Sequence, residues 1–363
     1  MATKRPVCKY GAECYRKNPD HLKSYYHPSK ADEESKVKLK QSTLPTDPSE
    51  TQTKLIPKGT SDGGKVTDPR SSIKEKFLVD MPQDFYDFWD FCKVLNPVAP
   101  EEALKDTIGL KLVGPYCVLA GYLSTASWED CVVESRYFYD TPEVLTVLEN
   151  IPKNGYHISY YRDNPDDLPT FLVSNNSKES CVLKAEGDNI FATVGLQISK
   201  KLKTVSTNSK LKELNTKLQA KCKELSYNLV ESKNFKTRNK QVVAKSFNKI
   251  GIVVPVDQND VGYRPLPMTN GELKAVLDKI VSSKSKEEKA TASEPLEEML
   301  SFVQFANDEC DYGMGLELGI DLFCHSDQFH KIIVNLLPLA YELLNRPVFA
   351  KIIKQHLIKR KKD

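Results

Sequence analysis

Residues 31 to 74 constrain the fold more than any other part of the chain. From ADEESKVKLKQSTLPTDPSETQTK to VTDPRSS the segment is polar, with almost no aromatic or periodic apolar residues. Such a stretch cannot bury enough surface to offset the entropy of ordering it, so it reads as a flexible tether. It leaves thirty residues on its amino-terminal side, too few for a hydrophobic core of their own. The remainder of the 363-residue chain is long enough for one large domain or two medium ones. With 40% hydrophobic and 28% charged residues, that remainder is expected to be globular. A net charge of +3 demands neither a nucleic acid nor a membrane as partner. No apolar run approaches the roughly 20 residues that span a bilayer, and MATKRPVCKY lacks the apolar core of a secretory signal. Nine cysteines, an odd number, point to reduced thiols in the cytosol or nucleus, some of them on metal. Lys359, Arg360, Lys361 and Lys362 form a basic end that suits either nuclear import or a solvated helix terminus.

In the first thirty residues, CKYGAECYRKNPDHLKSYYHP places Cys8, Cys14, His21 and His27 in the order C-x5-C-x6-H-x5-H. Two thiolates and two imidazoles make a closed tetrahedral set suited to structural Zn²⁺. Metal binding, worth roughly 10–16 kcal/mol in small finger peptides, would supply the folding energy that the segment lacks. The spacing differs from that of DNA-reading fingers, in which about twelve residues separate the second Cys from the first His. It resembles the poly(ADP-ribose)-binding zinc finger family, whose pattern is met by Arg5, Cys8, Tyr10, Gly11, Cys14, Arg16, His21, His27 and Pro28. The resemblance implies that Tyr10, Tyr15 and Arg16 contact the adenine and phosphates of the polymer. The chemistry is apt, since aromatic faces stack on bases and a guanidinium pairs with phosphate. Packing of the tyrosines around the metal is the plainer alternative.

Beyond the tether, MPQDFYDFWDFCKVL sets Phe85, Phe88, Trp89 and Cys92 at i, i+3, i+4 and i+7, an amphipathic helix. Runs rich in Val, Ile, Tyr and Phe follow and predict strands: LKLVGPYCVLAG, SRYFYD, YHISYYRD, PTFLVSN and SCVLKAEGDNIFATVGLQI. Beyond residue 206 helices dominate, beginning with Leu211, Leu214, Leu218, Cys222 and Leu225 at helical spacing. The expected class is α+β: residues 1–30 a zinc finger, 31–74 a disordered linker, 75–205 an α/β region on an antiparallel sheet, and 206–363 mainly helical.

Within the helical part, FVQFANDECDYGMGLELG delivers Asp308, Glu309 and Asp311 at the end of an apolar segment. A helix beginning near Ser293 and Pro295 would bury Leu296, Met299, Leu300 and Val303 and bring Glu309 beside its aromatic side. The macrodipole and the neighbouring acids oppose negative charge there, which favours a more basic carboxylate. On the residues alone the acids either cap the Gly-rich turn that follows or form a site. Glu317 and Asp321 read as scaffold, and Cys310 and Cys324 as small apolar residues.

The stretches VVPVDQNDVGYRPLP, FVQFANDECDYGMGLELGIDLFC, GDNIFA and LLPLAYELL resemble the histone PARylation factor family across nearly all of the globular part. That resemblance implies an accessory factor, inactive as an enzyme alone and monomeric, which docks on the catalytic domain of a nuclear poly(ADP-ribose) polymerase. It implies Glu309 as the catalytic carboxylate for serine ADP-ribosylation of histones, Asp308 as its acidic neighbour, and Tyr263 and Arg264 as the docking pair. NAD⁺ would be bound by the polymerase rather than by this chain, and the expected location is chromatin at sites of DNA damage. A non-catalytic poly(ADP-ribose) reader or repair scaffold is the alternative. A self-contained hydrolase is disfavoured, because residues 75 to 363 contain no phosphate loop, nucleophile elbow or metal-ligand set.

Overall fold

A computed structural model describes residue 26 and residues 68–205, 207–229 and 233–360. The expected zinc ligands Cys8, Cys14, His21 and His27, the polymer-binding candidates Tyr10, Tyr15 and Arg16, and most of the tether lie outside these residues. The last part of the segment read as tether is helical. Asp68 accepts from the Arg70 N–H at 3.3 Å and Pro69 opens helix α1, Pro69–Phe77. Helix α2, Gln83–Leu95, follows and buries Phe85, Phe88, Trp89 and Cys92 as its spacing predicts.

Five antiparallel strands form one sheet in sequence order: β1 Leu110–Leu112, β2 Val144–Asn150, β3 Tyr156–Tyr161, β4 Phe171–Asn176 and β5 Lys184–Gly187. The expected antiparallel sheet is therefore present, but it differs from the strand reading in three places, the first being SRYFYD, residues 135–140, which turns rather than forming a strand. Strand β2 was not among the predicted runs. Five of its seven residues are buried and none is exposed, so the alternation that marks a half-exposed strand is missing. IFATVGLQI, read as strand, begins helix α3, Ile190–Thr204. Asn189 caps it by accepting from the Ala192 N–H at 2.8 Å, and Ile190, Phe191, Val194 and Ile198 bury one helical face. Local β propensity yields here to a cap and a core to pack against.

Helix α4, Ser209–Leu225, falls in the part read as helical, yet it packs on the sheet side. Leu211, Leu214, Leu218 and Cys222 join a core with α2, α3, Leu148, Ile158 and Leu172. The second core is helical and comprises α5 Asn270–Ser282, α6 Lys286–Asp308, α7 Gly313–His325, α8 His330–Leu343 and α9 Pro347–Lys359. Helix α6 starts about two turns before the expected Ser293, because Ser285 caps it by accepting from the Glu288 N–H at 3.0 Å. Pro295 lies inside it. Helix α7 is the centre of this half, buried from Gly313 through Cys324.

Residues 65–363 form one compact unit, and polar side chains tie the helical core to the sheet half. The Tyr341 hydroxyl donates to Glu143 at 2.8 Å. Arg360 lies between the rings of Phe138 and Phe323, at 3.8 and 3.7 Å from their centroids, and donates to both backbone carbonyls. One residue of the basic end is thus a structural cation rather than a solvated one. Among the described residues no helix is long and apolar enough to cross a membrane.

Candidate functional site

The site is shaped by how α6 ends. Glu309 is the cap residue and Cys310 takes φ 71°, the left-handed turn that usually falls to glycine. The Cys310 N–H donates to the Asn307 carbonyl at 3.1 Å and the Asp311 N–H to the Ala306 carbonyl at 2.8 Å, the paired bonds of a Schellman motif. The chain therefore reverses at Cys310, ahead of Gly313 and Gly315. The reversal sends neighbouring carboxylates in opposite directions. The Glu309 side chain is 59% exposed, whereas Asp311 is buried at 6%. Asp308 is exposed beside Glu309. Phe302 and Phe305, the aromatic residues of this segment, are 39% and 59% exposed.

Asp311 holds the loop that carries the Tyr–Arg pair. One of its oxygens accepts the Gly262 N–H at 2.9 Å, and the Gly262 carbonyl accepts the Gly313 N–H at 2.9 Å. Gly262 sits at φ 138°, and a Cβ built there would lie 2.1 Å from the Pro255 carbonyl oxygen, so only glycine fits. Gly313 is also close-packed, with a Cβ 2.8 Å from the Val254 side chain. Pinned this way, the loop lays Tyr263 and Arg264 across the start of α7.

Tyr263 is half-buried rather than exposed. Its hydroxyl donates to Glu317 Oε2 at 3.0 Å. Burial and the Glu317 charge push the phenol pKa well up, and burial also raises the Glu317 carboxyl. Arg264 is exposed and reaches across to the acids, donating to Glu309 Oε2 and approaching the second Asp311 oxygen at 3.0 Å. The mutual repulsion expected among these acids is therefore offset by a guanidinium placed between two of them. The hydrogen bond to Glu309, followed by the attraction of both carboxylates, raises the Arg264 pKa.

One turn further along α7, Asp321 is completely buried. Its Oδ1 accepts from the Phe247 N–H at 2.7 Å, and Oδ2 has no hydrogen-bond partner among the described residues. Burial pushes its carboxyl up to about 8, with Glu317 and Cys181 adding to the rise and the Phe247 N–H and Lys249 opposing it. The fold thus brings Arg264 onto Glu309 and Asp311 and seats Tyr263 on Glu317, with Asp308 next to Glu309 in the chain. It adds Asp311 and Glu317, whose positioning roles the sequence reading missed. The available signal was a pair of acids, Glu317 and Asp321, spaced i, i+4 in the otherwise apolar segment GMGLELGIDLFC.

For the amino-terminal set, two Cys and two His are a donor chemistry that fits Zn²⁺. Among the described residues no cluster of three His, Cys, Asp or Glu side chains could hold a metal ion.

Comparison with known proteins agrees with both resemblances. The family model described as histone PARylation factor 1 matches residues 68–360, and that described as the PBZ domain matches residues 5–30. The chain belongs to the histone PARylation factor 1 family and carries a PBZ-type zinc-finger domain at its amino-terminal end. It is 45% identical to the Mus musculus histone PARylation factor 1 over 311 residues, 84% of this chain and 90% of that protein. The Bos taurus protein of the same name is 45% identical over 304 residues, 82% of this chain and 88% of that protein. The Danio rerio protein is 43% identical over 300 residues, 81% of this chain and 86% of that protein. These relatives are named as factors and not as enzymes.

Proposed function

We propose that this protein docks on the catalytic domain of a nuclear poly(ADP-ribose) polymerase and contributes a base to a joint active site for serine ADP-ribosylation of histones. The observation that carries this reading is the contact between Arg264 and Glu309 on one exposed face. A candidate docking residue and a candidate base touch each other. A serine hydroxyl is a weak nucleophile at neutral pH. When it attacks the ribose carbon of NAD⁺ held by the polymerase, nicotinamide leaves and the hydroxyl proton needs an acceptor. A carboxylate within hydrogen-bond reach supplies about 10²–10⁴-fold by taking that proton. The exposure of Glu309 supports this role, which requires that Arg264 turn away to the partner. The polymerase would thus both recruit the factor and release its base. Tyr263, seated on Glu317, gives the docking loop a fixed edge, and Asp308 adds negative charge that favours lysine-flanked serines of histone tails. By the same reading the protein is not an enzyme alone, and it works in the nucleus on chromatin at DNA damage. Cys8, Cys14, His21 and His27 hold a structural zinc, which shapes the finger so that Tyr10, Tyr15 and Arg16 bind poly(ADP-ribose).

The test is a reconstituted reaction of polymerase, histone peptide, NAD⁺ and this protein. Glu309→Gln should lower serine-linked ADP-ribose by about 10²-fold or more while the complex stays intact by calorimetry. Arg264→Ala should weaken the complex itself. Full serine modification with Glu309→Gln would remove the base role and leave the non-catalytic reader, for which the PBZ match speaks.

A further inference from the structure

Away from this site, a cavity of about 580 Å³ opens between the sheet and the helical half, within the size range of small-molecule sites. Three arginines line it, and each is at least nine-tenths buried: Arg162 at 6%, Arg238 at 7% and Arg346 at 6% exposure. Arg238 is neutralised, since it forks onto both Asp163 oxygens at 2.9 and 2.7 Å. The other two have no carboxylate at ion-pair distance among the described residues. Arg162 donates to the carbonyls of Pro165 and Leu78 at 2.7 and 3.0 Å, and Arg346 to that of Val253 at 2.7 Å.

Buried cations are ordinarily paired, because a guanidinium loses much of its hydration when enclosed. Burial accordingly pulls the Arg162 pKa down to about 10, although Asp166, Glu143 and Asp80 act against the fall. Phe349 offers only its ring face, 5.3 Å from the Arg162 guanidinium. The buried Glu143 accepts the Tyr341 hydroxyl at one oxygen, while its other oxygen has no hydrogen-bond partner among the described residues and its charge acts on Arg162 from beyond ion-pair distance. A cavity edged by two under-compensated guanidinia is built for an anion, and their planar forks match phosphate. The lining also includes Asp167, uncharged polar groups such as Thr237, and an apolar strip of Val254, Pro255 and Leu168, which suits a flat ring.

We propose that this cavity binds a phosphate-bearing small molecule of nucleotide size, with its phosphates on Arg346 and Arg162 and its ring against the apolar strip. The site is separate from Glu309, and its occupancy does not depend on the docking role assigned above.

Calorimetric titration of the full chain with ADP and with inorganic pyrophosphate tests the assignment. Both should bind saturably at the cavity, ADP more tightly because its ring adds apolar contact. Thr237 is exposed on the short helix Lys233–Arg238, so Thr237→Glu should leave the fold intact while weakening this binding about tenfold. Asp167→Asn, which removes the rim carboxylate, should tighten it, and Arg346→Met should abolish it. Finger binding of either probe would be indifferent to all three changes and would appear as a second, unaltered site. No saturable heat with either probe, or binding untouched by both Thr237→Glu and Arg346→Met, would overturn the proposal. ADP binding no tighter than pyrophosphate would overturn its nucleotide part.

Discussion

Asp311 and Glu309 are two residues apart and chemically alike, yet one is buried and the other exposed. Their difference comes from the intervening Cys310, whose left-handed backbone turns the chain between them. Sequence shows a cluster of acids. It cannot show which one faces Gly262, because that depends on a loop 49 residues away. Asp321 poses a sharper question, since a completely buried carboxyl without a cation in contact is destabilising when ionised. Its folded pKa of about 8 stands well above the ordinary value of 3.8. Between those values the native state holds a proton that the unfolded chain has released. Stability is therefore greatest below about pH 4 as far as this group is concerned, and declines as the pH rises to about 8. Asp321→Asn keeps the Phe247 contact and removes the charge. It should raise the thermal midpoint by about 3 °C or more at pH 8 and flatten the pH dependence between 5 and 8. Calorimetric melts across that range would show it, and parallel curves for the two proteins would refute the assignment.

At the scale of elements, the site is a junction of one helix end, one loop and one helix start. The end of α6 presents Glu309, the loop before α5 presents Arg264, and the start of α7 supplies the backbone N–H that pins Gly262. Gly262→Ala would force a Cβ into the Pro255 carbonyl at a backbone angle that other residues rarely adopt. We expect a loss of about 2–4 kcal/mol in urea unfolding, together with weaker polymerase docking as Tyr263 and Arg264 shift. Unchanged unfolding would mean that the loop relaxes without strain. Elements with a strong local signature were legible in the sequence, α2 and α4 by their periodicity and β3 and β4 by their composition. The start of α3 was not, because Ile, Phe and Val at its head favour a strand until Asn189 caps them into a helix. Strand β2 was missed for the complementary reason that both of its faces are covered.

For the molecule as a whole, the sequence joins a PBZ-type finger at residues 5–30, a polar segment and one compact unit. Under the proposed function, a polar segment of this length would hold the two binding parts at an effective concentration on the order of millimolar, so that two modest affinities reinforce each other. Cys8→Ser should therefore cost one equivalent of zinc by metal analysis and most of the poly(ADP-ribose) affinity. Melting of the compact unit should stay where it was, and a lowered melt would show that the finger supports it. By itself the sequence showed a finger-like amino-terminal motif and a globular carboxy-terminal part, because composition decides whether a segment can bury enough surface to fold; it placed the start of the globular part too late, since Pro69–Phe77 is helical. It also determined which residue types crowd near Glu309 and the antiparallel, then helical, character of the globular part. Only the tertiary structure decided that Arg264 meets Glu309, that Asp311 rather than a glycine-rich turn organises the loop, and that Arg162 and Arg346 face one cavity. Those facts depend on long-range contacts whose partners lie tens of residues or more apart in the chain, and no local pattern records them.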